Sequence, residues 1–336
     1  MKRNTAILIC IMFALAINLS FAQSSKTGKI IFRSSDIIEG QRIDSIYMAN
    51  ADGSELTKLT KQWFNEGNLG IAYNEFVLSP DCKSVALDVI ETDLIRQEPF
   101  SRDIAIFEID TGNVINLTNN KKDDYSYRSC WSPNGRQIAF ERTLSPDYAD
   151  EICIMNSDGS NVRKIADDGY PLDWSPDGRT IVFADRNKWG VYEIYTMDTN
   201  GGNVKMIVDS IPFVTDLRYS PDGKHIACNV QTTSGNRVYV MDSDGNNLKL
   251  LMTIDGRFYC WSSDGKKIAI GAKIAPERYS CIWLFDPFEP KGGVPEKLTS
   301  NDREEYLFDW RDPALIPTGF EPQLEPSIST WGYIKK

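Results

Sequence analysis

The chain has 336 residues, a formal net charge of −10 and 41% hydrophobic residues, which is enough apolar material for a sizeable buried core. The acidic balance excludes a nucleic-acid-binding protein, because phosphate contacts need clustered Lys and Arg side chains. Only one histidine is present, and this excludes a His-rich metal centre. We expect that residue, His225, to face solvent from the polar side of a strand.

Residues 1–22 have the pattern of a secretory signal peptide. Lys2 and Arg3 precede an apolar run over 6–17, and Ser20-Phe21-Ala22 supplies small residues at a cleavage site. Cleavage removes two positive charges, so the net charge becomes −12. The alternative interpretation is an N-terminal membrane anchor. Ile9 before Cys10 disfavours a lipoprotein, and no later apolar run predicts a transmembrane segment. We therefore expect a periplasmic or secreted protein.

After a short linker over 23–29, the first strand-like sequence is Ile30-Ile31-Phe32. Ile46-Tyr47-Met48, an Asp52-Gly53 turn and a short apolar segment over 56–60 follow it. This opening unit contains three strands, one fewer than the units that come after it.

A repeat then occupies most of the chain. Each copy begins with a strand that ends at a large apolar residue, followed by a Ser-Pro-Asp-Gly-like turn. We call this residue the lead residue of its copy, and the five are Leu78, Trp131, Trp174, Tyr219 and Trp261, separated by 53, 43, 45 and 42 residues. A second strand, a variable loop, a third strand, an Asp-Gly or Asn-Gly turn and a short fourth strand complete the copy. A period of about 40–50 residues with four strands is typical of propeller blades.

The two ends of the chain complement each other. The first strand that the opening unit lacks occurs at the other end, as Tyr306-Leu307-Phe308-Asp309-Trp310. We predict that it pairs with residues 30–32 and closes the ring, which removes an open sheet edge. The sequence thus predicts an all-β fold over 30–313, a six-bladed β-propeller with four antiparallel strands per blade. Residues 314–336 form a proline-containing tail.

The copies Trp174-Ser175-Pro176-Asp177-Gly178 and Val238-Tyr239-Val240-Met241-Asp242 resemble the WD40-like repeats of TolB-type propellers. The resemblance covers about residues 30–313. It implies a six-bladed propeller that works in the periplasm as a scaffold or recognises peptides at its mouth. TolB itself has an α/β domain before its propeller. Since only residues 23–29 stand between the signal peptide and the first strand, we expect a TolB-like protein and not TolB.

Six cysteines follow the signal peptide, and they admit two interpretations. An even number in an exported chain permits disulfides, but the spacings show no Cys-x-x-Cys motif. Buried free thiols are favoured, because free cysteine packs as a small hydrophobic residue. Cys130 and Cys153 fall on the first and third strands of one copy, as do Cys260 and Cys281 of another, so a whole strand separates each pair.

The variable loops between second and third strands indicate the binding face, because insertions in repeat folds collect there. They are predicted at 90–103, 143–150, 186–191 and 272–280. Aromatic and Arg side chains are typical interface anchors, and each can instead pack against its own loop. The candidates are Arg96, Phe100, Arg102, Tyr148, Arg186, Trp189, Arg278 and Tyr279.

Charged residues on the innermost strands form a second candidate set. By the two-residue period of a strand they share one direction, toward the channel. They either bind a ligand or form a structural ring of ion pairs. These residues are Glu75, Arg128, Asp173, Asp216, Arg218 and Asp309.

No motif in the sequence carries a catalytic role, and neither a metal nor a cofactor is predicted. We expect a monomeric, non-catalytic module that binds a protein, a peptide or a glycan on its variable-loop face. The alternative is a glycoside hydrolase-like enzyme with two carboxylates at the channel mouth.

Overall fold

The computed structural model describes residues 27–38, 41–59, 69–93, 98–147, 149–170, 172–254, 256–274, 277, 280–289, 293–299 and 305–315. These residues form 24 β-strands and one short 3₁₀ turn at Pro313–Leu315. Within the described ranges there is no helix long and apolar enough to cross a membrane.

The strands assemble in antiparallel groups of four, which we number in chain order. Group 1 contains β24 (Glu305–Arg311), β1 (Lys29–Ile38), β2 (Gln41–Asn50) and β3 (Thr57–Lys58). Group 2 contains β4 (Leu69–Leu78), β5 (Ser84–Asp93), β6 (Glu98–Glu108) and β7 (Val114–Asn116). Group 3 contains β8 (Tyr125–Trp131), β9 (Gln137–Leu144), β10 (Ala149–Asn156) and β11 (Arg163–Ala166). One parallel bridge between Arg102 and Tyr125 joins groups 2 and 3 into an eight-stranded sheet.

The remaining groups are separate four-stranded sheets. Group 4 contains β12 (Leu172–Trp174), β13 (Thr180–Arg186), β14 (Tyr192–Asp198) and β15 (Lys205–Ile211). Group 5 contains β16 (Val214–Tyr219), β17 (His225–Thr232), β18 (Gly235–Asp242) and β19 (Lys249–Ile254). Group 6 contains β20 (Gly256–Trp261), β21 (Ile268–Ala272), β22 (Cys281–Phe285) and β23 (Glu296–Lys297).

The first and last strands of the chain pair as the sequence predicts. Strands β1 and β24 are antiparallel, with Ile30 opposite Trp310 and Ile31 opposite Asp309. The Trp310 indole N–H also donates to the carbonyl of Thr27 over 3.1 Å. Group 1 is therefore built from both ends of the chain.

The first strands of the groups contact one another in cyclic order. Strand β4 contacts β8, β8 contacts β12, β12 contacts β16, and β16 contacts β20. Strand β24 contacts both β20 and β4. The strand that begins each group therefore lies next to its counterparts in the two neighbouring groups.

Each Ser-Pro-Asp-Gly turn is stabilised by the same local hydrogen bonds. In group 4 the Ser175 hydroxyl donates to the Asp177 carboxylate over 2.7 Å, and Gly178 adopts a φ of 69°. A positive φ favours glycine because it has no Cβ. Cys82 takes this place in the weakest copy with a φ of 56°. The predicted turn chemistry is confirmed in all five copies.

In groups 4 and 5 the turns between third and fourth strands need glycine for a second reason. Gly245 has a φ of 90°, and a Cβ at this position would lie 2.0 Å from the backbone oxygen of Ile207 in group 4. Gly201 approaches the Ile165 carbonyl of group 3 in the same way. Each of these turns thus packs directly on the outer strand of the preceding group.

The core consists of apolar clusters between neighbouring groups. One of them joins Ile30 and Phe32 of group 1 to Ala269 and Ile282 of group 6. The six cysteines beyond residue 22 are buried as free thiols, and burial raises the pKa of Cys153 to about 11. Cys130 and Cys153 lie on first and third strands, as predicted.

Two predicted loops are wrong, because the strands extend into them. In group 2, β5 continues to Asp93 and β6 starts at Glu98, so most of 90–103 is a paired hairpin. In group 3, strands run to Leu144 and from Ala149, which leaves only 145–148 between them. In both hairpins the backbone pairing extends beyond the predicted strand ends, because each strand finds a paired neighbour there.

His225 also differs from its prediction as a solvent-facing residue. Its ring lies 5.0 Å from that of Phe288, and its Nδ1 lies 3.4 Å from an Asp242 carboxylate oxygen. His225 pairs with Asp242 across β17 and β18, so the polar side of the strand is partly covered by its neighbours.

Candidate functional site

The two ends of the strand groups differ in the connections that they carry. First-to-second and third-to-fourth turns lie at one end of each antiparallel group, and we call it the turn side. Second-to-third connections lie at the other end, the loop side. A cavity opens at each side, and both contain residues that the sequence identified as candidates.

The predicted loop anchors are only partly described. Arg96, Tyr148, Arg278 and Tyr279 lie outside the described residues, and Phe100 lies in β6 without a described side chain. Trp189 is 78% exposed on the turn between β13 and β14, with the Lys188 ammonium 5.1 Å from its ring. The Arg186 guanidinium lies 5.8 Å from the ring of Tyr192. Trp189 is thus the clearest exposed anchor among the candidates that the structure describes.

The loop-side cavity has a volume of about 350 Å³. It brings together Glu75, Arg102 and Arg128 from the candidate list, although they lie in groups 2 and 3. Group 5 contributes a polar wall of hydroxyl and amide side chains. The complete lining is Glu75, Asp88, Arg102, Arg128, Tyr170, Phe213, Thr215, Asn229, Gln231, Asn236 and Arg257.

β-bulges in the first strands position several of these side chains. The ladder shifts between Tyr73 and Phe76, between Tyr127 and Cys130, and between Val214 and Asp216. Bulges re-aim side chains. Arg128 lies in one of them with a φ of 51°, a left-handed conformation that is uncommon for arginine.

Each arginine of the loop-side cavity lies beside an acid. Arg128 binds Glu141 over 2.9 Å, and Arg257 makes two hydrogen bonds to Asp216, of 3.0 and 3.1 Å. An Arg102 amine nitrogen lies 3.6 Å from the Asp88 carboxylate, which is an ion pair without a hydrogen bond. The charges of the cavity are therefore largely compensated.

Two carboxyl groups at this site are deeply buried. Burial raises the pKa of Asp88 to about 7 and that of Glu141 to about 8, against the opposing effect of Arg102 and Arg128 respectively. The charge of Glu75 raises both pKa values further. Asp88 is 1% exposed, and among the described residues neither of its oxygens has a hydrogen-bond donor.

An aromatic wall completes the loop-side cavity. The Tyr170 and Tyr192 hydroxyls are 3.1 Å apart, and the Phe213 ring lies 6.2 Å from Tyr170 and 5.2 Å from Tyr192. The Arg128 guanidinium stacks over Tyr170 at 4.4 Å, a cation–π contact that fixes both side chains. Phe213 keeps 37% of its surface exposed.

The turn-side cavity, of about 260 Å³, contains three of the predicted channel charges, Asp173, Arg218 and Asp309. The Asp173 carboxylate accepts a hydrogen bond from the backbone N–H of Tyr219, and Asp309 accepts one from that of Leu78. Each carboxylate thus binds the lead residue of another group. Arg218 donates to the carbonyls of Leu172 and Leu217. These contacts support the structural interpretation of Asp173 and Asp309.

The six predicted channel charges divide between the two sides. Asp216 pairs with Arg257 at the loop side, where Glu75 and Arg128 also lie, and each of these three charges stands three residues before its lead residue. The turn-side cavity lies between Pro133, Pro176 and Pro221. The Trp174 indole N–H in its lining is buried, with no acceptor among the described residues.

Asp88, Glu141 and Asn229 were missed by the sequence reasoning, although a signal for them exists. In each of these groups the lead residue pairs with a residue of the second strand, and the polar residue comes three positions after that partner. Arg33 has the same position in group 1, relative to the partner of Trp310. A polar residue recurs there inside otherwise apolar strands. The copies of groups 4 and 6 have Ala184 and Gly271 at this position.

No family model matches the chain. A 197-residue segment is 27% identical to an uncharacterized peptidase, YuxL, of Bacillus subtilis strain 168, over 56% of this chain and 27% of that protein. A 151-residue segment is 31% identical to the uncharacterized protein Atu1656 of Agrobacterium fabrum, over 40% of this chain and 48% of that protein. The chain spans about a quarter to a half of the length of the curated relatives that it matches.

Solved structures resemble a larger part of the chain. TolB of Acinetobacter baumannii superposes with a TM-score of 0.64 and 18% identity, over 89% of this chain and 69% of that one. The TolB-type protein of Agrobacterium tumefaciens superposes with a TM-score of 0.55 and 16% identity, over 84% and 97%. At these identities the likeness shows the fold alone, and that fold is a TolB-like propeller.

Proposed function

We propose that this chain is an exported, six-bladed propeller that binds a protein, peptide or glycan partner on its loop side. The loop-side cavity carries this proposal, because it combines aromatic, arginine and amide side chains from several groups around one opening. Such a set of side chains is typical of recognition surfaces. The antiparallel pairing of β1 with β24 and the cyclic contacts of the first strands support a closed ring of six blades.

Export rests on the signal peptide predicted for residues 1–22. Fusion of residues 1–30 to a phosphatase that is active only outside the cytoplasm tests this part of the proposal. Phosphatase activity is expected together with loss of the signal segment from the fusion. An uncleaved, membrane-bound fusion would instead support the anchor interpretation.

Trp189 offers the cleanest test of partner binding. Its side chain is 78% exposed, so Trp189→Ala is expected to leave the melting temperature unchanged. Loss of an aromatic anchor costs about 2 kcal/mol, roughly thirtyfold in affinity. The measurement is quantitative capture of partners from the envelope fraction of the producing organism, with the wild-type and variant proteins compared.

Phe288→Ala is the matched control, because Phe288 is 54% exposed but follows β22 on the turn side. If Phe288→Ala loses the partner and Trp189→Ala retains it, the partner binds on the turn side and the proposed loop-side binding is wrong. Arg102 is a poorer test than the sequence indicated. It is the ion-pair partner of the buried Asp88 carboxylate, so its removal is expected to lower stability as well.

A carbohydrate-active enzyme is a second candidate, and one observation favours it. Asp88 is buried with a pKa of about 7, and the negative charge of Glu75 contributes to raising that pKa. A protonated acid beside a second carboxylate is the arrangement that glycoside hydrolysis requires. Release of nitrophenol from a panel of aryl glycosides, abolished by Asp88→Asn, would support this candidate. Absence of turnover over the whole panel would leave binding as the function.

A further inference from the structure

The loop-side cavity holds acceptors to which no described residue donates a hydrogen bond. Both carboxylate oxygens of Asp88 and the side-chain oxygen of Asn229 are buried, with no donor among the described residues. The other end of the Asn229 amide is occupied, since it donates to the Thr215 hydroxyl over 2.6 Å. Buried acceptors without donors are costly, and they usually mark a place where a ligand or water supplies the hydrogen bond.

The balance of charge decides which kind of ligand fits. Arg128 and Arg257 are hydrogen-bonded to Glu141 and Asp216, and Arg102 is ion-paired with Asp88. An anionic ligand would have to compete with these acids, and a cationic one would meet three guanidinium groups. A neutral ligand avoids both penalties, because no charge has to be desolvated without a partner.

Hydroxyl groups suit the remaining donors and acceptors better than peptide groups do. One hydroxyl can donate to Asp88 and at the same time accept from an arginine N–H, whereas a peptide N–H only donates. A ligand with hydroxyl groups on adjacent carbons places several combined donors and acceptors within one small volume. The cavity of about 350 Å³ is near the lower end of the roughly 300–1,000 Å³ of small-molecule sites.

The exposed ring of Phe213 offers an apolar surface beside these polar groups. Phe213 packs against Tyr170 and Tyr192, so its position is fixed. The C–H face of a sugar ring can lie against such a surface while its hydroxyls reach the acceptors. We propose that the loop-side cavity is a subsite for a neutral saccharide, bound between Phe213, Asp88 and Asn229. The subsite rests on the loop-side binding function proposed above, and it specifies the ligand class.

A glycan array probed with the protein from residue 23 onward tests the subsite, with neutral gluco-, galacto-, manno- and xylo-oligosaccharides beside uronate-containing and sulfated ones. The strongest neutral binder is then titrated calorimetrically against the wild type and three variants. Asp88→Asn preserves shape but replaces one acceptor by a donor, and Phe213→Ala removes the apolar surface. About tenfold weaker binding is expected for each, since one hydrogen bond or ring contact is lost.

Phe288→Ala serves as the control and is expected to bind like the wild type. Circular dichroism verifies that each variant is folded, and Asp88→Asn covers the case in which Phe213→Ala does not fold. The inference is overturned if no neutral glycan binds, if only charged glycans bind, or if both cavity variants bind normally. If no saccharide binds but Trp189→Ala still reduces capture of the partner, the loop-side binding function stands without the saccharide subsite.

Discussion

Asp88 is an acidic residue in an environment that aspartate rarely occupies. It is 1% exposed, and its neighbours are one paired arginine, Arg102, with Arg128 and Glu75 close by. Burial makes ionisation of this carboxyl group costly, and Arg102 offsets that cost only in part, so the group ionises near neutral pH. Its protonation is therefore coupled to folding.

The pH dependence of stability provides a test of this coupling. The folded protein holds the Asp88 proton up to a pKa of about 7, whereas the unfolded chain releases it near the ordinary aspartate pKa of 3.8. Between these two pH values the folded state binds more protons, so its stability falls as pH rises. The slope for one such group is at most about 1.4 kcal/mol per pH unit. Asp88→Asn should remove it.

Urea unfolding of the wild type and Asp88→Asn at intervals from pH 4 to pH 8 measures the difference. The variant is expected to gain stability relative to the wild type as pH rises through this range. Glu141, with a pKa of about 8, retains the same sign of dependence in both proteins and cancels in the comparison. A constant difference across the range would show that Asp88 is ionised in the folded protein.

At the scale of single elements, the turns were predictable from sequence and the strand lengths were not. Ser175, Asp177 and Gly178 are sufficient to determine their turn, because its hydrogen bonds join residues a few positions apart. The extension of β6 back to Glu98 depends on the partner strand β5, which sequence periodicity does not show. Arg102 was thus predicted in a loop and lies in a strand.

The composition of the loop-side cavity was less predictable still. Arg102 and Arg128 were identified individually, but Tyr170 and Phe213 join them only through packing between different groups. Bulges at Tyr127/Cys130 and Val214/Asp216 redirect side chains that a regular two-residue period assigns elsewhere. Neither effect has a local sequence signature.

The glycine turns between third and fourth strands allow a prediction about contacts between groups. Gly245→Ala is expected to be strongly destabilising, because its Cβ would lie 2.0 Å from the Ile207 oxygen and the backbone must move. Gly112 lies in the turn between third and fourth strands of group 2, with a φ of 73°. A Cβ added to it would have no other atom within 4 Å. Gly112→Ala therefore isolates the cost of a positive φ, about 1 kcal/mol.

We expect Gly245→Ala to lose about 2–3 kcal/mol more than Gly112→Ala, since overpacking against backbone adds to the conformational strain. Equilibrium unfolding of both variants measures the difference. An equal loss of unfolding free energy in both variants would mean that the turn of group 5 is not closely packed against the outer strand of group 4.

At the scale of the whole molecule, β24 connects several groups. It pairs with β1 in group 1, and Leu307 and Trp310 join a cluster with Ala269 and Ile282 of group 6. The Asp309 carboxylate accepts the backbone N–H of Leu78 in group 2. One strand of seven residues thus contacts three groups, which makes it the element on which a closed ring would depend.

Removal of residues 305–336 is therefore expected to cause aggregation. The deletion unpairs the edge of β1 over Lys29–Ser34, whose backbone donors and acceptors would then be free to pair with other chains. It also uncovers Ile30 and Phe32, which are buried against Leu307 and Trp310. Light scattering coupled to size-exclusion chromatography, with thermal melting, measures the outcome.

A truncation after residue 315 is the control, because it keeps β24 and removes only the residues beyond it. A monomeric 305–336 deletion that melts at the temperature of this control would show that pairing of the chain ends does not hold the propeller together.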